Sequence, residues 1–261
     1  MNNRLLSLTL IGLTVLTTSF NTLEDKNVFD VIVIDAGHGG HDPGCNGGSS
    51  KEKDVTLSIA LKLGKLISDS LKDVKVIYTR NVDKFIELSE RSNIANKNNA
   101  DLFISIHCNA NDNKEANGTE TYLMGLHKME GNLEVSKREN NVILLEKDYK
   151  SNKSYDGYDP NSPAAHIIFS LMQNAFRAQS IKFAGFVESE FKTKSALKSR
   201  GVKEAGFLVL WKTAMPGVLI ETGFLSNEGD RKTLAKDSGQ AVMAHAIFNA
   251  VKKYKVAVTA K

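Results

Sequence analysis

The sequence predicts an α/β fold: a single domain with a mostly parallel central sheet flanked by helices, carrying a partly helical insertion near residues 126–196. Three observations predict it. Apolar, β-branched stretches at 31–34, 74–78, 102–106 and 218–220 have the composition of strands, and 31–34 is continuous, as in a strand covered on both faces. Segments with helical apolar spacing fall between them, the alternation that builds a layered α/β domain. Glycine-rich and polar stretches separate the two kinds of segment.

Taken in order, strand 31–34 runs into 37–50, too rich in glycine for regular structure and therefore a loop. Val55, Leu57, Ile59, Leu61, Leu63, Leu66, Ile67 and Leu71 then mark one face of a helix. Strand 74–78 follows, and 88–98 reads as a helix with a modest apolar face of Leu88, Ile94 and Ala95. Residues 102–106 and 118–123 are the next strands. In the C-terminal third, 207–211 and 218–220 read as strands. A closing helix spans 239–254 with Val242, Ala246, Phe248 and Val251 as its apolar residues, and 255–261 is a tail. The insertion contains a charged then apolar stretch (134–145), a polar loop (150–163) broken by Gly157, Pro160 and Pro163, and a long helix (167–191). It has too little apolar material for a core of its own.

A chain of 261 residues holds one large domain or two small ones. Apolar residues make up 41% and charged residues 25%, the balance of a folded globule rather than a disordered chain. The net charge of +4 is spread along the sequence, which suits a polyanionic surrounding such as a cell wall. There is no dense Lys/Arg block, so nucleic acid is not an expected partner.

At the N-terminus, Arg4 precedes an almost wholly apolar or small stretch (5–16), then Thr17, Thr18 and Ser19. That order predicts a secretory signal peptide over 1–22 and an exported domain over 28–257. The apolar stretch is short for a membrane span, so no span is expected after cleavage; an uncleaved anchor is the competing reading. The two cysteines, Cys45 and Cys108, are able to pair in an oxidising compartment, and the sequence leaves that open. Cys108 directly follows His107 and points to the opposite face of its strand, so it reads as a core residue.

Four short islands carry the chemistry: Asp35-Ala36-Gly37-His38-Gly39-Gly40, Lys51-Glu52-Lys53-Asp54, Ser105-Ile106-His107-Cys108-Asn109 and Leu219-Ile220-Glu221-Thr222-Gly223. His38, His107 and Glu221 follow or end predicted strands, and Glu52 opens a predicted helix. In open α/β sheets, ligands collect beyond the strands' carboxyl ends. Two imidazoles and two carboxylates there are what a catalytic zinc site needs: three protein ligands, a water position and a general base. A lone histidine in such a place is more often a hydrogen-bonded core residue; the ordered set shifts the balance to a metal.

The same residues, in a wider frame, resemble a known family. Val33 to Gly44, Glu52-Lys53-Asp54-Val55, Thr79-Arg80, Leu88-Ser89-Glu90-Arg91, Ala100 to His107, Gly118-Thr119-Glu120, Arg200-Gly201-Val202-Lys203, Gly206-Phe207 and Glu221 to Asn227 occur in the order found in zinc-dependent N-acetylmuramoyl-L-alanine amidases. These are peptidoglycan hydrolases of the cell-division type, and the likeness covers roughly residues 30–255. The resemblance implies one zinc ion held by His38, Glu52 and His107, with Glu221 as the catalytic carboxylate. It implies cleavage of the amide between N-acetylmuramic acid and L-alanine in peptidoglycan, in cell separation or wall remodelling, and a periplasmic or extracellular wall location. A zinc peptidase acting within the stem peptide and a non-catalytic wall-binding protein are the alternatives.

Other positions carry further expectations. Asp35 either orients His38 as an outer acceptor or makes a strand-end hydrogen bond to backbone. Asp42 holds the glycine-rich loop, His41 sits on the crevice rim, and Arg80 and Arg91 are structural. His127, His166 and His245 have no matching partners. Some cell-division members of the resembled family carry a segment that covers the zinc and is released by an activator protein. Residues 133–178 are the matching candidate here, with Glu134, Glu139 and Glu146 as possible extra ligands; a substrate-groove wall is the competing reading.

Overall fold

Strand β1 (Val31–Ala36) sets the frame, because its alternate side chains enter two different cores. Ile32, Ile34 and Ala36 face one, and Val33 faces the other. This is a computed structural model, describing residues 29–48, 50–126, 130–147, 149–155, 158–159, 162, 164 and 175–260. The signal-peptide reading, His127, His166 and the 167–174 part of the long-helix reading lie outside the described residues.

The chain continues through a short hairpin, β2 (Asn46–Gly47) and β3 (Ser50–Lys51), into helix α1 (Glu52–Ser70). Then come β4 (Lys75–Tyr78), α2 (Leu88–Lys97), β5 (Leu102–Asn109) and β6 (Thr119–Met124). The inserted region opens with α3 (Glu130–Asn140), continues in a 3-10 turn at Asn141–Leu145 and another at Lys153–Tyr155, and leads to α4 (Arg177–Lys194). Last come β7 (Ser199–Ala205), the short α5 (Leu208–Trp211), β8 (Gly217–Phe224), α6 (Glu228–Leu234) and α7 (Asp237–Thr259).

Six strands form one sheet in the order β4-β1-β5-β8-β6-β7. All neighbouring pairs are parallel except β6–β8, so the mostly parallel sheet holds. Helices α1, α4 and α7 cover one face with Ile59, Leu63, Phe183, Val187, Met243 and Ile247. The other face is covered by Leu88 and Ala95 of α2, Leu208–Leu210 of α5, and the insertion's Val135, Val142, Ile143 and Tyr155. The insertion therefore helps build the second core. Strands β1, β5 and β8 run the same way, so His38, His107 and Glu221 meet at one edge. Register adds precision: Glu221 sits opposite His107 on β5 and opposite Glu120 on β6, and side chains directly opposite share a face.

Two expectations are corrected and one strand is added. Residues 207–211 are not a strand; Leu208–Trp211 is helical. A short apolar run has no period of its own, and here Asn140 Oδ1 of the insertion takes the Leu208 N–H at 2.8 Å. The tail 255–261 is helical through Thr259, because Lys255 Nζ anchors to Phe29 O and Asp73. Strand β7, unread in the sequence, is polar along most of its length because it is the sheet's outer strand.

Under the sheet edge lies a buried ion pair. Asp35 Oδ1 accepts from Arg91 Nη1 at 2.8 Å and Thr79 Oγ1 at 2.6 Å, and Oδ2 accepts from Ser105 Oγ at 2.6 Å. Burial raises the Asp35 pKa, but Arg91 and the two hydroxyls outweigh it and hold the carboxyl below its ordinary value of 3.8. Its contribution to stability is thus complete above that value and is lost as pH falls through the lower folded one. Asp35→Asn leaves the Arg91 guanidinium buried without its counter-charge, so denaturant melts at pH 7 should show a loss of about 3–5 kcal/mol, and the variant's deficit should shrink in acid.

Candidate metal centre

The glycine-rich loop brings His38 into place. His38 itself has φ +61°, and the carbonyls around it are clamped by arginines. Arg80 donates to the Ala36 and Gly37 carbonyls at 2.9 and 2.7 Å, and Arg91 to those of Ala36 and His38 at 2.8 and 3.0 Å. Two glycines are needed by contact. A Cβ on Gly37 would lie 2.4 Å from the His107 ring, and one on Gly44 would lie 2.6 Å from Glu52 Oε2. His38 Nδ1 lies 2.7 Å from Asp42 Oδ2, whose other oxygen accepts the Gly44 N–H at 3.0 Å. Asp42 thus accepts the hydrogen bond of Nδ1–H and leaves Nε2 as an electron-pair donor facing inward.

Glu52 begins α1, where the helix N-terminus favours an anion. Its Oε2 accepts the Cys45 N–H at 2.8 Å and Oε1 the Cys108 N–H at 2.9 Å. Four donor atoms then converge. His38 Nε2 is 3.0 Å from Glu52 Oε1 and 3.3 Å from Glu139 Oε2, and His107 Nδ1 is 3.1 Å and 3.0 Å from the same two oxygens. Glu139 arrives on α3. All four side chains are buried. Burial opposes a charge on His107, but Glu139 and Glu52 outweigh it and push its pKa up to about 9.

Glu221 stands beside this set, fully buried, with neither carboxylate oxygen hydrogen-bonded among the described residues. Burial, then the charge of Glu139, pushes its pKa well up against the opposing pull of Arg138. Arg138 Nη2 is 3.5 Å from Glu221 Oε1 and 2.9 Å from Glu139 Oε1. His38 Nε2 and Glu139 Oε2 also lack hydrogen-bond geometry to any partner despite their short separations. Buried polar atoms are rarely left so. Their convergence is what a cation would satisfy.

The structure sorts the sequence-read candidates. His38, Glu52, His107 and Glu221 come together. Of the three insertion glutamates, only Glu139 reaches them. Glu134 is exposed and pairs with Lys137 at 2.8 Å. Glu146 instead accepts the Leu88 N–H at 2.7 Å and the Tyr155 hydroxyl, capping α2, whose own N-cap residue offers no side-chain bond. Asp35 is spent on Arg91, Thr79 and Ser105, so Asp42 and not Asp35 orients His38. His41 stacks on Phe85 with ring centroids 4.1 Å apart. Cys45 and Cys108 are free thiols, with Cys45 Sγ donating to the Cys108 carbonyl at 3.2 Å. Arg138 and Asn109 were missed as site residues; Asn109 was legible only as the last member of its island.

An α/β sheet with a buried two-histidine, two-glutamate set at the carboxyl ends of its parallel strands is the layout of a metal-binding α/β protein. A family model described as N-acetylmuramoyl-L-alanine amidase matches residues 32–253, and the chain belongs to that family. It is 33% identical over 227 residues to the N-acetylmuramoyl-L-alanine amidase AmiC of Escherichia coli O6:H1, covering 86% of this chain and 52% of that protein. With AmiA of Escherichia coli K12 it shares 31% identity, covering 86% of this chain and 75% of the relative. The chain thus spans about half the length of AmiC. Among solved structures, the catalytic domain of the amidase CwlV from Bacillus (Paenibacillus) polymyxa superposes with a TM-score of 0.63 at 29% identity, covering 86% of this chain and 97% of that one. The CwlD amidase of Clostridioides difficile, solved in complex with the GerS lipoprotein, gives a TM-score of 0.62 at 27% identity, covering 86% and 98%.

Proposed function

We propose that this chain is a zinc-dependent N-acetylmuramoyl-L-alanine amidase that hydrolyses the amide joining N-acetylmuramic acid to L-alanine in peptidoglycan, and that α3 holds it inactive. The observation that carries the reading is the four-donor convergence beside a buried carboxylate, Glu221, whose oxygens accept no hydrogen bond among the described residues. Zinc binds imidazole and carboxylate at about 2.0–2.2 Å in tetrahedral sites, which sets ligand atoms about 3.3–3.6 Å apart. The four histidine–glutamate separations here are 3.0–3.3 Å, a little closer than that, and all four donor atoms lie within 4.8 Å of one another, so the set converges as the ligands of one small ion do.

His38, Glu52 and His107 would hold the zinc, whose chemistry is to acidify water and polarise an amide carbonyl. Asp42 fixes the His38 tautomer, and the Cys45 and Cys108 N–H groups fix Glu52. Glu221 is the proton carrier: its buried carboxylate stands beside the metal-ligand set, placed to take the proton of the attacking water and deliver it to the departing nitrogen. Glu139 fills the place that water and substrate need. The space left beside His38, His107 and Glu139 is about 10 Å³, room for about one water. Catalysis therefore requires α3 to withdraw, and a partner protein that binds the insertion is the natural trigger. The charged and apolar order of residues 1–22 supports export, and a peptidoglycan substrate places the protein outside the cytoplasmic membrane, in the periplasm or at the extracellular wall.

Mass spectrometry of products from purified peptidoglycan tests this. Intact stem peptides beginning at L-alanine are expected, and cuts between stem residues would instead identify a peptidase. Glu221→Gln should lower turnover by about 10²–10⁴-fold while zinc content, read by atomic absorption, is retained. Glu139→Ala should raise activity on the same sacculi by at least about tenfold, the equivalent of about 1.4 kcal/mol of plug stability; unchanged activity contradicts the inhibitory role.

A further inference from the structure

The residues that hold Arg138 describe a second site. Besides its ion pairs with Glu221 and Glu139, the Arg138 guanidinium donates to the Ala110 carbonyl at 2.8 Å and to Asn109 Oδ1 at 3.1 Å. Asn109 is fully buried, and its amide is locked. Nδ2 donates to Glu120 Oε2 at 2.9 Å, and the same carboxylate oxygen accepts the Tyr122 hydroxyl at 2.8 Å. A carboxylate only accepts, so it fixes the amide with Nδ2 outward and Oδ1 turned into the site. Glu120 is itself held by Arg200 and Lys203 on its other oxygen. The string Lys203/Arg200–Glu120–Asn109 thus ends in a cluster of acceptors, with no donor of its own beyond the Ala110 N–H, already spent on Asn109 Oδ1 at 2.8 Å.

That cluster needs a cationic donor, and Arg138 is one. Its neighbour Glu139 lies on the two histidines. Adjacent residues of one helix therefore present a cation to Glu221, Asn109 and Ala110 and a carboxylate to His38 and His107. Amide hydrolysis makes the same pair of charges. Water adds to the carbonyl carbon, the C–N bond breaks, one product keeps both oxygens as a carboxylate, and the nitrogen leaves carrying both protons of the water as an ammonium.

We infer that Asn109 Oδ1 and the Ala110 carbonyl, aimed by Glu120 and flanked by Glu221, form the subsite for the departing α-amine of the stem peptide, and that Arg138–Glu139 occupies the site as an imitation of the two products. This rests on the amidase reading above. Ala110 and Arg138 also line a cavity of about 580 Å³ that extends to Cys45, Lys114, Leu225 and Arg231. The peptide arm of the substrate lies along it, in a lining of mixed charge that sets Lys114 and Arg231 beside Asp112 and Glu134. Glu120 and Asn109 act as positioning residues in this scheme, and neither transfers a proton.

Binding isolates the subsite from turnover. The full chain carrying Arg138→Ala and Glu139→Ala is titrated calorimetrically with the tripeptide L-alanyl-γ-D-glutamyl-meso-diaminopimelate and with its desamino analogue, in which the α-amine is replaced by hydrogen. The free amine should bind about tenfold or more tightly, as expected for charge-assisted hydrogen bonds. Adding Asn109→Leu should erase that ratio, and adding Glu120→Gln, which frees the amide to turn over, should reduce it severalfold. The Glu120→Gln protein keeps the test decisive if Asn109→Leu does not fold. Equal affinity of the two peptides for the opened protein overturns the subsite, whatever bond that protein hydrolyses, and so does a preference that survives both further substitutions. Hydrolysis at a bond other than the muramyl–alanine amide overturns the amidase reading itself, which the product analysis reports separately.

Discussion

The Glu52 carboxylate is the point on which the rest of the site hangs. A buried charge is costly unless it is paired and fully hydrogen-bonded. Here the first turn of α1, the N–H groups of Cys45 and Cys108, and two imidazoles meet that cost from three separate stretches of chain. The glycine-rich loop must bend back far enough to deliver Cys45, and β5 must end where Cys108 can donate. Both histidines are then within reach of one oxygen. The geometry of the site follows from solvating one buried acid with protein groups.

The same logic of buried partners continues outward. Asp35 and Arg91 neutralise each other beneath the loop, and Arg80 and Arg91 spend their remaining donors on loop carbonyls. Gly37 and Gly44 are bare because a ring and a carboxylate occupy the space a methyl would take. On the far side, Glu120 is fixed by Arg200, Lys203 and Tyr122 and in turn fixes Asn109. The centre is therefore held rigidly from both flanks, and α3 is the element whose charged residues meet it from above. Arg138 and Glu139 of α3 meet it through ion pairs and hydrogen bonds alone.

Much of this was legible because residue type and strand position carry it. His38, His107 and Glu221 stand at the ends of apolar β-branched runs, and those runs fix the sheet edge they share. The helices 52–70 and 88–97 were legible from their broadly helical apolar spacing, but Leu61, read on the first helix's apolar face, is exposed, and Thr56, Ala60 and Gly64 complete the buried face instead. The insertion was not legible in the same way. Which glutamate reaches the centre depends on the rotation of α3: at about 100° per residue, Glu134 and Glu139 point about 140° apart, so both cannot face inward. Glu146 lies past the helix end and caps α2. Asp42 was read only as a loop-holding acceptor, since nothing local shows that its second oxygen meets His38. Residues 207–211 carried an apolar run too short to show a period, and the Asn140 side chain of the insertion settles it as helix.

The most direct test of the account is anomalous diffraction at the zinc absorption edge from crystals of the zinc-loaded chain. The account predicts one strong peak enclosed by His38 Nε2, Glu52 Oε1, His107 Nδ1 and Glu139 Oε2, with Glu221 close by and not bound to it. Zinc seated elsewhere, or a site that stays empty at saturating zinc, would contradict the claim that these buried, converging groups are a metal centre closed by α3.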